Sequence, residues 1–212
     1  MSPSCLLIPF ALLLAFDAHS DDKACWSMEL LIGDAYNAAS RTRIEQVQLD
    51  GHSFNGDYET RGLESPLHYA WRIARWEDAR GWELQLLHHK IFLQSRPAGV
   101  DALSVSHGFN IVTVNRAIEY GHWRIRAGLG PVVAHAEARI LGSSYDGPYE
   151  LAGAAALIGV SRQLKLGKNF YLLGEAAATF GYMRARPEGS PALEVTIRNP
   201  AFHAQAGVGY RF

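Results

Sequence analysis

Apolar side chains recur at every second position through most of this chain, in eight separate segments. WSMELLI sets Trp26, Met28, Leu30 and Ile32 on one face, and PLHYAWRIARW sets Leu67, Tyr69, Trp71 and Ile73 against His68, Ala70, Arg72 and Ala74. WELQLL gives Trp82, Leu84 and Leu86 opposite Glu83 and Gln85, and in NIVTVN Val112 and Val114 oppose Thr113 and Asn115. The fifth segment runs from Trp123 through Ile125, Ala127, Leu129 and Pro131 to Val133, with Arg124 and Arg126 on its other side. Small residues occupy both faces of ELAGAAALIGVS. FYLLGEAAATFGY sets Phe170, Leu172, Ala176, Phe180 and Tyr182 against Tyr171, Glu175 and Thr179, and FHAQAGVGYRF sets Phe202, Ala204, Ala206, Val208, Tyr210 and Phe212 against His203, Gln205 and Arg211. A period of two is that of a β-strand, so the pattern predicts an all-β chain of eight strands with no helical repeat.

Alternation alone fits a soluble sandwich as well as a barrel in a membrane, and three features favour the barrel. Several segments reach about ten residues, enough for a tilted strand to cross a bilayer. Large aromatics stand at segment ends (Trp26, Trp76, Trp82, Trp123 and Tyr210), where a membrane barrel carries its interfacial girdles. The chain also closes on Phe212, with Tyr210 and Val208 on the same face, an ending that resembles the sorting signal of bacterial outer-membrane proteins. The expected fold is therefore an eight-stranded antiparallel transmembrane β-barrel of the outer-membrane type. Short links at 77–81, 119–122 and 165–169 suit periplasmic turns, and longer ones at 37–65, 94–106, 138–149 and 184–195 suit extracellular loops, which puts both termini in the periplasm.

Composition sharpens this picture. Residues 1–20, MSPSCLLIPFALLLAFDAHS, hold an apolar run from Cys5 to Phe16 followed by Ala18 and Ser20 at signal-peptidase spacing, so 1–20 read as a cleaved export signal and 21–212 as the barrel. Loss of the signal removes Cys5 and leaves Cys25 alone, which excludes an internal disulfide. Formal net charge is −1 with no basic block, which gives no footprint for nucleic acid. A barrel of eight strands is filled by its own side chains, so Arg72, Arg124, Arg126, Glu175, Gln205, His203 and Arg211 are expected to pair inside it, in a monomer with no wide pore.

The fifth segment ends strangely. Continued beyond Val133, its apolar face meets His135 and then Glu137. The third segment does the same, with His88 and Lys90 after Leu86, and Asn110 precedes Val112 on the strand between them. These groups leave the barrel on its outer wall at the extracellular rim, where the neighbouring headgroup is lipopolysaccharide. An H-x-E on one strand projects both side chains to one side, about 6.6 Å apart along the backbone. With His88 it makes a two-histidine, one-carboxylate set of the kind that holds non-haem iron, and without metal it offers a general base and an orienting acid. His88 lies five residues lower than His135 when each is counted from its own turn, about 16 Å along a strand. His107 is closer in level but points inward by alternation, unless a bulge near Gly108 turns it outward.

SHGFNIVTVN (106–115), HHK (88–90), GLGPVVAHAE (128–137) and YLLGEAA (171–177) resemble the lipid A oxidase-type outer-membrane barrels of Gram-negative bacteria, over about Phe54 to Phe212 with gaps in the loops. One departure is Ala134, where members usually carry proline. The resemblance implies oxidation of the proximal glucosamine of lipid A to an aminogluconate, with molecular oxygen as co-substrate. It brings His88, Lys90, His107, Asn110, Thr113, Asn115, His135 and Glu137 into family-like motifs. On this reading His88, His107, His135 and Glu137 are the catalytic candidates, His88, His135 and Glu137 hold a divalent metal with iron favoured, and Lys90, Asn110, Thr113 and Asn115 bind substrate. The expected partners are lipid A and, through Phe212, the outer-membrane assembly machinery. Two alternatives stand beside the oxidase: a lipid A deacylase, since Ser104 and Ser106 flank His107, and a structural barrel whose rim only binds lipopolysaccharide.

Overall fold

The computed structural model describes residues 24–46, 51–95, 97–187 and 193–212; the export signal read at 1–20 lies outside them. Thirteen strands form one antiparallel sheet: β1 (Ala24–Asn37), β2 (Ser40–Glu45), β3 (His52–Gly56), β4 (Tyr58–Glu59), β5 (Tyr69–Glu77), β6 (Arg80–Leu93), β7 (Val100–Tyr120), β8 (Trp123–Ala134), β9 (Glu137–Ile140), β10 (Ser143–Asp146), β11 (Glu150–Lys165), β12 (Phe170–Ala185) and β13 (Glu194–Arg211). Eight of them close a ring. β1 pairs with β5, β5 with β6, β6 with β7, β7 with β8, β8 with β11, β11 with β12, β12 with β13, and β13 returns to β1. These are the eight segments that alternation predicts. The remaining short strands stand at one end of the ring, as a β2–β3 hairpin paired to β13, a β4 bridge between β1 and β6, and a β9–β10 hairpin paired to β7.

Three of the links read as extracellular loops thus carry strand in part. β2, β3 and β4 lie within 37–65, β10 and all but the first residue of β9 within 138–149, and β7 begins at Val100 rather than after 106. Their segments are too short for alternation to register, and they gain their pairing partners from the projecting ends of ring strands. At the other end of the barrel the connections are tight. There the seam strands meet, and the backbones of Trp26 and Phe212 exchange hydrogen bonds of 2.8 and 2.9 Å. Both ends of the described chain therefore lie on the short-turn side.

Burial follows the predicted phase. Each ring strand exposes large apolar side chains outward: Leu30, Trp71, Leu84, Val114, Ile125, Ile158, Leu172 and Phe202 each represent one strand. An apolar belt that encircles the whole barrel is the surface a bilayer requires and water penalises. The protein is a closed eight-stranded barrel of the outer-membrane type. Trp76 is a correction: expected in an interfacial girdle, it is fully buried inside, because it falls on the same phase as Arg72 and Ala74.

Inside the lower barrel, Arg72, Arg124 and Arg126 meet Glu29, Glu83 and Glu175. Arg72 donates to both oxygens of Glu175 at 3.0 and 3.1 Å and to Glu29; Arg126 donates to Glu83 at 2.8 Å and to Glu175; Arg124 donates to Glu29 and, at 2.7 Å, to Glu119. Arg211 donates to the same Glu119, so this residue too finds its expected partner. The Arg124 guanidinium also lies 4.2 Å from the Trp76 ring centroid, and the indole donates to Ser27 at 2.9 Å. Tyr171 completes the group with a 2.6 Å bond to Glu29. Its ring lies flat over its cross-strand neighbour Gly209, where a Cβ would approach to 2.2 Å, so only glycine admits it.

Breaking one partner of such a buried network costs about 3–5 kcal/mol, because a charge is left unpaired. Arg126→Met should therefore lower the urea midpoint of the barrel in detergent micelles markedly. The double variant Arg126→Met/Glu175→Gln should recover part of the loss by removing the stranded carboxylate. Additive losses in that cycle would show that the two residues do not interact.

Candidate functional site

The outer wall carries a polar cluster just above the apolar belt, at the end opposite the chain termini. β8 stops at Ala134, His135 follows, and β9 opens with Glu137. Ala134, Ala136 and Ala138 are buried, so His135 and Glu137 keep the outward phase of Leu129 and Val133, as alternation predicts. Glu137 pairs across the sheet with Ser104 on β7, which places the carboxylate beside two hydroxyls. Ser106 donates to Glu137 Oε2 at 2.9 Å and Ser104 at 3.1 Å.

His107 reaches the same carboxylate because β7 bulges. The β6–β7 register shifts between the pairs His89–Phe109 and Ile91–Val105, and Gly108 adopts φ of 135°. A side chain at position 108 would be strained there, and its Cβ would strike the Asn110 amide. The bulge turns His107 out of its inward phase. Its Nδ1 lies 3.2 Å from Glu137 Oε1 and 3.0 Å from Ser106 Oγ. His135 Nε2 lies 3.4 Å from that carboxylate oxygen and 3.0 Å from Asp146 on β10. The two imidazoles meet edge to face with centroids 5.4 Å apart. Tyr149 packs on His135 and donates to the His107 carbonyl at 2.9 Å. One donor atom from each of His107, His135 and Glu137 lies within 4.8 Å of the others.

Burial alone would raise the Glu137 pKa. Hydrogen bonds from Ser106 and Ser104 and the nearby His107 and His135 outweigh it and hold the carboxyl below its ordinary value of 4.5.

The other sequence candidates fall elsewhere. Strand stagger does bring His88 up: it is level with Asn110, and Asn110 with Val133, two residues below His135. Yet His88 is buried. Its Nδ1 lies 2.7 Å from Asn110 Oδ1, its ring stacks on Tyr69, and it stands apart from the three-donor cluster. Asn110 is thereby occupied in holding His88. Lys90, expected to meet phosphate, is covered by the 61–64 segment and donates to the Arg61 and Glu64 carbonyls at 2.8 Å each. Thr113 and Asn115 point into the barrel, where Asn115 donates to Gln85 at 3.2 Å, so neither touches a substrate on the outer wall. Asp146 and Tyr149 had no signal in the sequence, since both sit in a link that shows no periodicity.

No family model and no curated protein matches this chain. Among solved structures it is similar to the outer membrane protein AlkL determined in DMPC lipid bilayers, at 12% identity over 93% of this chain and 94% of that one, with a TM-score of 0.49. It is similar to the outer membrane protease OmpT from Escherichia coli at 10% identity, covering 89% and 97% with a TM-score of 0.46. It is also similar to Ail, the attachment invasion locus protein of Yersinia pestis, at 12% identity, covering 89% and 97% with a TM-score of 0.40. Likeness at this level concerns chain architecture only; the fold described above rests on the strand pairing itself.

The depressed carboxyl gives a direct check. Titration of the Glu137 side-chain carbon by NMR should have a midpoint below 4.5, and Ser106→Ala should move it upward. The sign follows from linkage: a carboxyl depressed in the folded state stabilises the cluster above its unfolded pKa, and that contribution fades as pH falls through the folded value. An unchanged midpoint in the variant would remove Ser106 as its cause.

Proposed function

We propose that this protein is a bacterial outer-membrane enzyme that modifies lipid A, by oxygen-dependent oxidation of a glucosamine at the His107–His135–Glu137 cluster. The observation that carries this reading is the convergence of two imidazoles and one carboxylate on the outer wall, at the edge of the apolar belt, where a lipid headgroup would lie beside them. The donor chemistry would suit a divalent metal of the iron type, with two imidazole nitrogens and one carboxylate oxygen, and Asp146 stands 3.0 Å from His135 as a further oxygen donor. A metal bound there would supply the electron path to dioxygen that amino-acid side chains alone lack.

The chain's own residues do the rest. Ser104 and Ser106 fix the carboxylate, and the edge-to-face packing of His107 and His135, backed by Tyr149, sets both rings. Oxidation removes two electrons and two protons from the sugar, which dioxygen would take up as hydrogen peroxide; Glu137, held ionised, is the anionic donor of the set. His107 replaces His88 as the histidine that completes the set. Lipid A enters from the membrane plane, with its acyl chains against the belt beneath the cluster.

A second reading, acyl-ester hydrolysis, is favoured by one contact: Ser106 Oγ touches both His107 and Glu137. Against it, the hydroxyl and the carboxylate meet the same ring nitrogen, Nδ1, whereas a hydrolytic triad needs the acid on the nitrogen opposite the nucleophile.

Mass spectrometry of lipid A from cells with and without the protein separates these readings. Oxidation changes the mass of the sugar, deacylation removes an acyl chain, and an unchanged lipid A would leave a structural barrel. His107→Ala, His135→Ala and Glu137→Gln should each abolish the oxidised product while the barrel still folds, since all three side chains point away from its interior. Ser106→Ala should lower it only several-fold; complete loss with Ser106→Ala would favour hydrolysis.

The same placement expects Phe212 to engage the assembly machinery. Deleting it removes a partner of Trp26 at the seam and should leave the exported chain in the periplasm; normal outer-membrane levels would overturn this.

A further inference from the structure

A second group of histidines lies inside the barrel. His68 precedes β5, His89 is on β6 and His203 on β13, and all three are buried. Their ring centroids are 5.1 to 5.5 Å apart: His68 and His203 stack in parallel, and His89 meets both edge-on. Ligand nitrogens of the three lie within 4.8 Å of one another. We propose that His68, His89 and His203 form a metal site inside the barrel, for a zinc-, nickel- or copper-like ion bound by three neutral imidazoles.

The hydrogen bonds around the cluster leave buried ring nitrogens without a partner. His89 Nε2 contacts two side-chain carbonyl oxygens, Asn37 Oδ1 at 2.9 Å and Asn199 Oδ1 at 3.1 Å, so it carries the proton. That fixes the tautomer, and His89 Nδ1 is left as a buried acceptor without a partner. His203 is held in the same way. Its Nε2 lies 2.8 Å from Thr179 Oγ1, which can accept its proton, and Nδ1 faces His68 Nε2 at 3.3 Å. Two nitrogens sharing an ion at about 2.0–2.1 Å in tetrahedral geometry stand roughly 3.3–3.4 Å apart. His68 Nδ1 is a further buried nitrogen without a partner.

Without an ion, these nitrogens impose an uncompensated desolvation cost. An ion would satisfy the nitrogens that ligate it, and Asn37, Asn199 and Thr179 orient the rings from outside, the role that second-layer partners play for metal-bound histidines. Nitrogen-only donors exclude magnesium and calcium, which need oxygen. They also set this site apart from the wall cluster, whose Glu137 contributes an anionic oxygen. Bound here, an ion would tie the segment before β5 to β6 and to the seam strand β13.

The test uses the full barrel refolded in detergent without metal, in the variant His107→Ala/His135→Ala/Glu137→Gln, which silences the wall cluster. Cobalt(II) added alone should bind one ion per chain, with visible bands of tetrahedral strength and X-ray absorption fitted by nitrogen or oxygen neighbours including several imidazoles. Zinc(II) should displace it and raise the temperature at which the folded gel band is lost. Adding His89→Gln should abolish this binding, and His68→Ala does the same job should His89→Gln fail to give a folded band. The proposal is overturned if the wall-silenced barrel takes up neither cobalt nor zinc, or if its uptake survives both His89→Gln and His68→Ala.

Discussion

A ring of eight strands encloses too little space for bulk water, so each inward polar group must be satisfied by another. The rest of the structure depends on how this chain meets that constraint. Arg72, Arg124 and Arg126 interlock with Glu29, Glu83 and Glu175, so that charges from β1, β5, β6, β8 and β12 neutralise one another across the lumen. The network lies across the lower barrel. The two clusters that could hold a metal ion lie in the places the network does not occupy, the outer wall and the upper lumen.

Both places use histidine, but in different electrical settings. On the wall, Glu137 accompanies His107 and His135, and Asp146 stands close by; the set is anionic and partly open. In the lumen, His68, His89 and His203 hydrogen-bond with amides, a hydroxyl and one another. A divalent charge is better compensated on the wall, whereas the lumen offers stronger nitrogen donation and exclusion from solvent. As the two proposed sites stand, the same side chain would favour different ions in the two settings.

Much of the barrel was legible in the sequence because the ring strands have one wet or charged face and one lipid face, and a period of two records that contrast directly. Arg124 and Arg126 fall inside and Ile125 outside for no other reason. The short strands β2, β3, β4, β9 and β10 were not legible, since two to six residues give alternation nothing to repeat. Trp76 was misplaced by its type, when its phase pointed inward. For the site, His135 and Glu137 follow from phase alone, but His107 depends on a bulge, and one extra residue in a strand reverses every assignment beyond it. Lys90 was missed for another reason: a segment distant in sequence folds over it, and no local pattern predicts a cover. The lumenal histidines were invisible as a group because residues 68, 89 and 203 meet only when the ring closes.

The seam between β1 and β13 joins the first ring strand to the last. Every other adjacent pair in the ring is made by neighbours in sequence, so most of the sheet can grow hairpin by hairpin. The final rung cannot: it requires β13, and until β13 is delivered the sheet has two bare edges and its charged interior lies open. The arginine–glutamate interior spans both sides of the seam, through Glu29 on β1 and Glu175 on β12, so it is complete only in the closed ring. The contact that closes the barrel is thus also the one of greatest separation along the chain, the kind that is slowest to form.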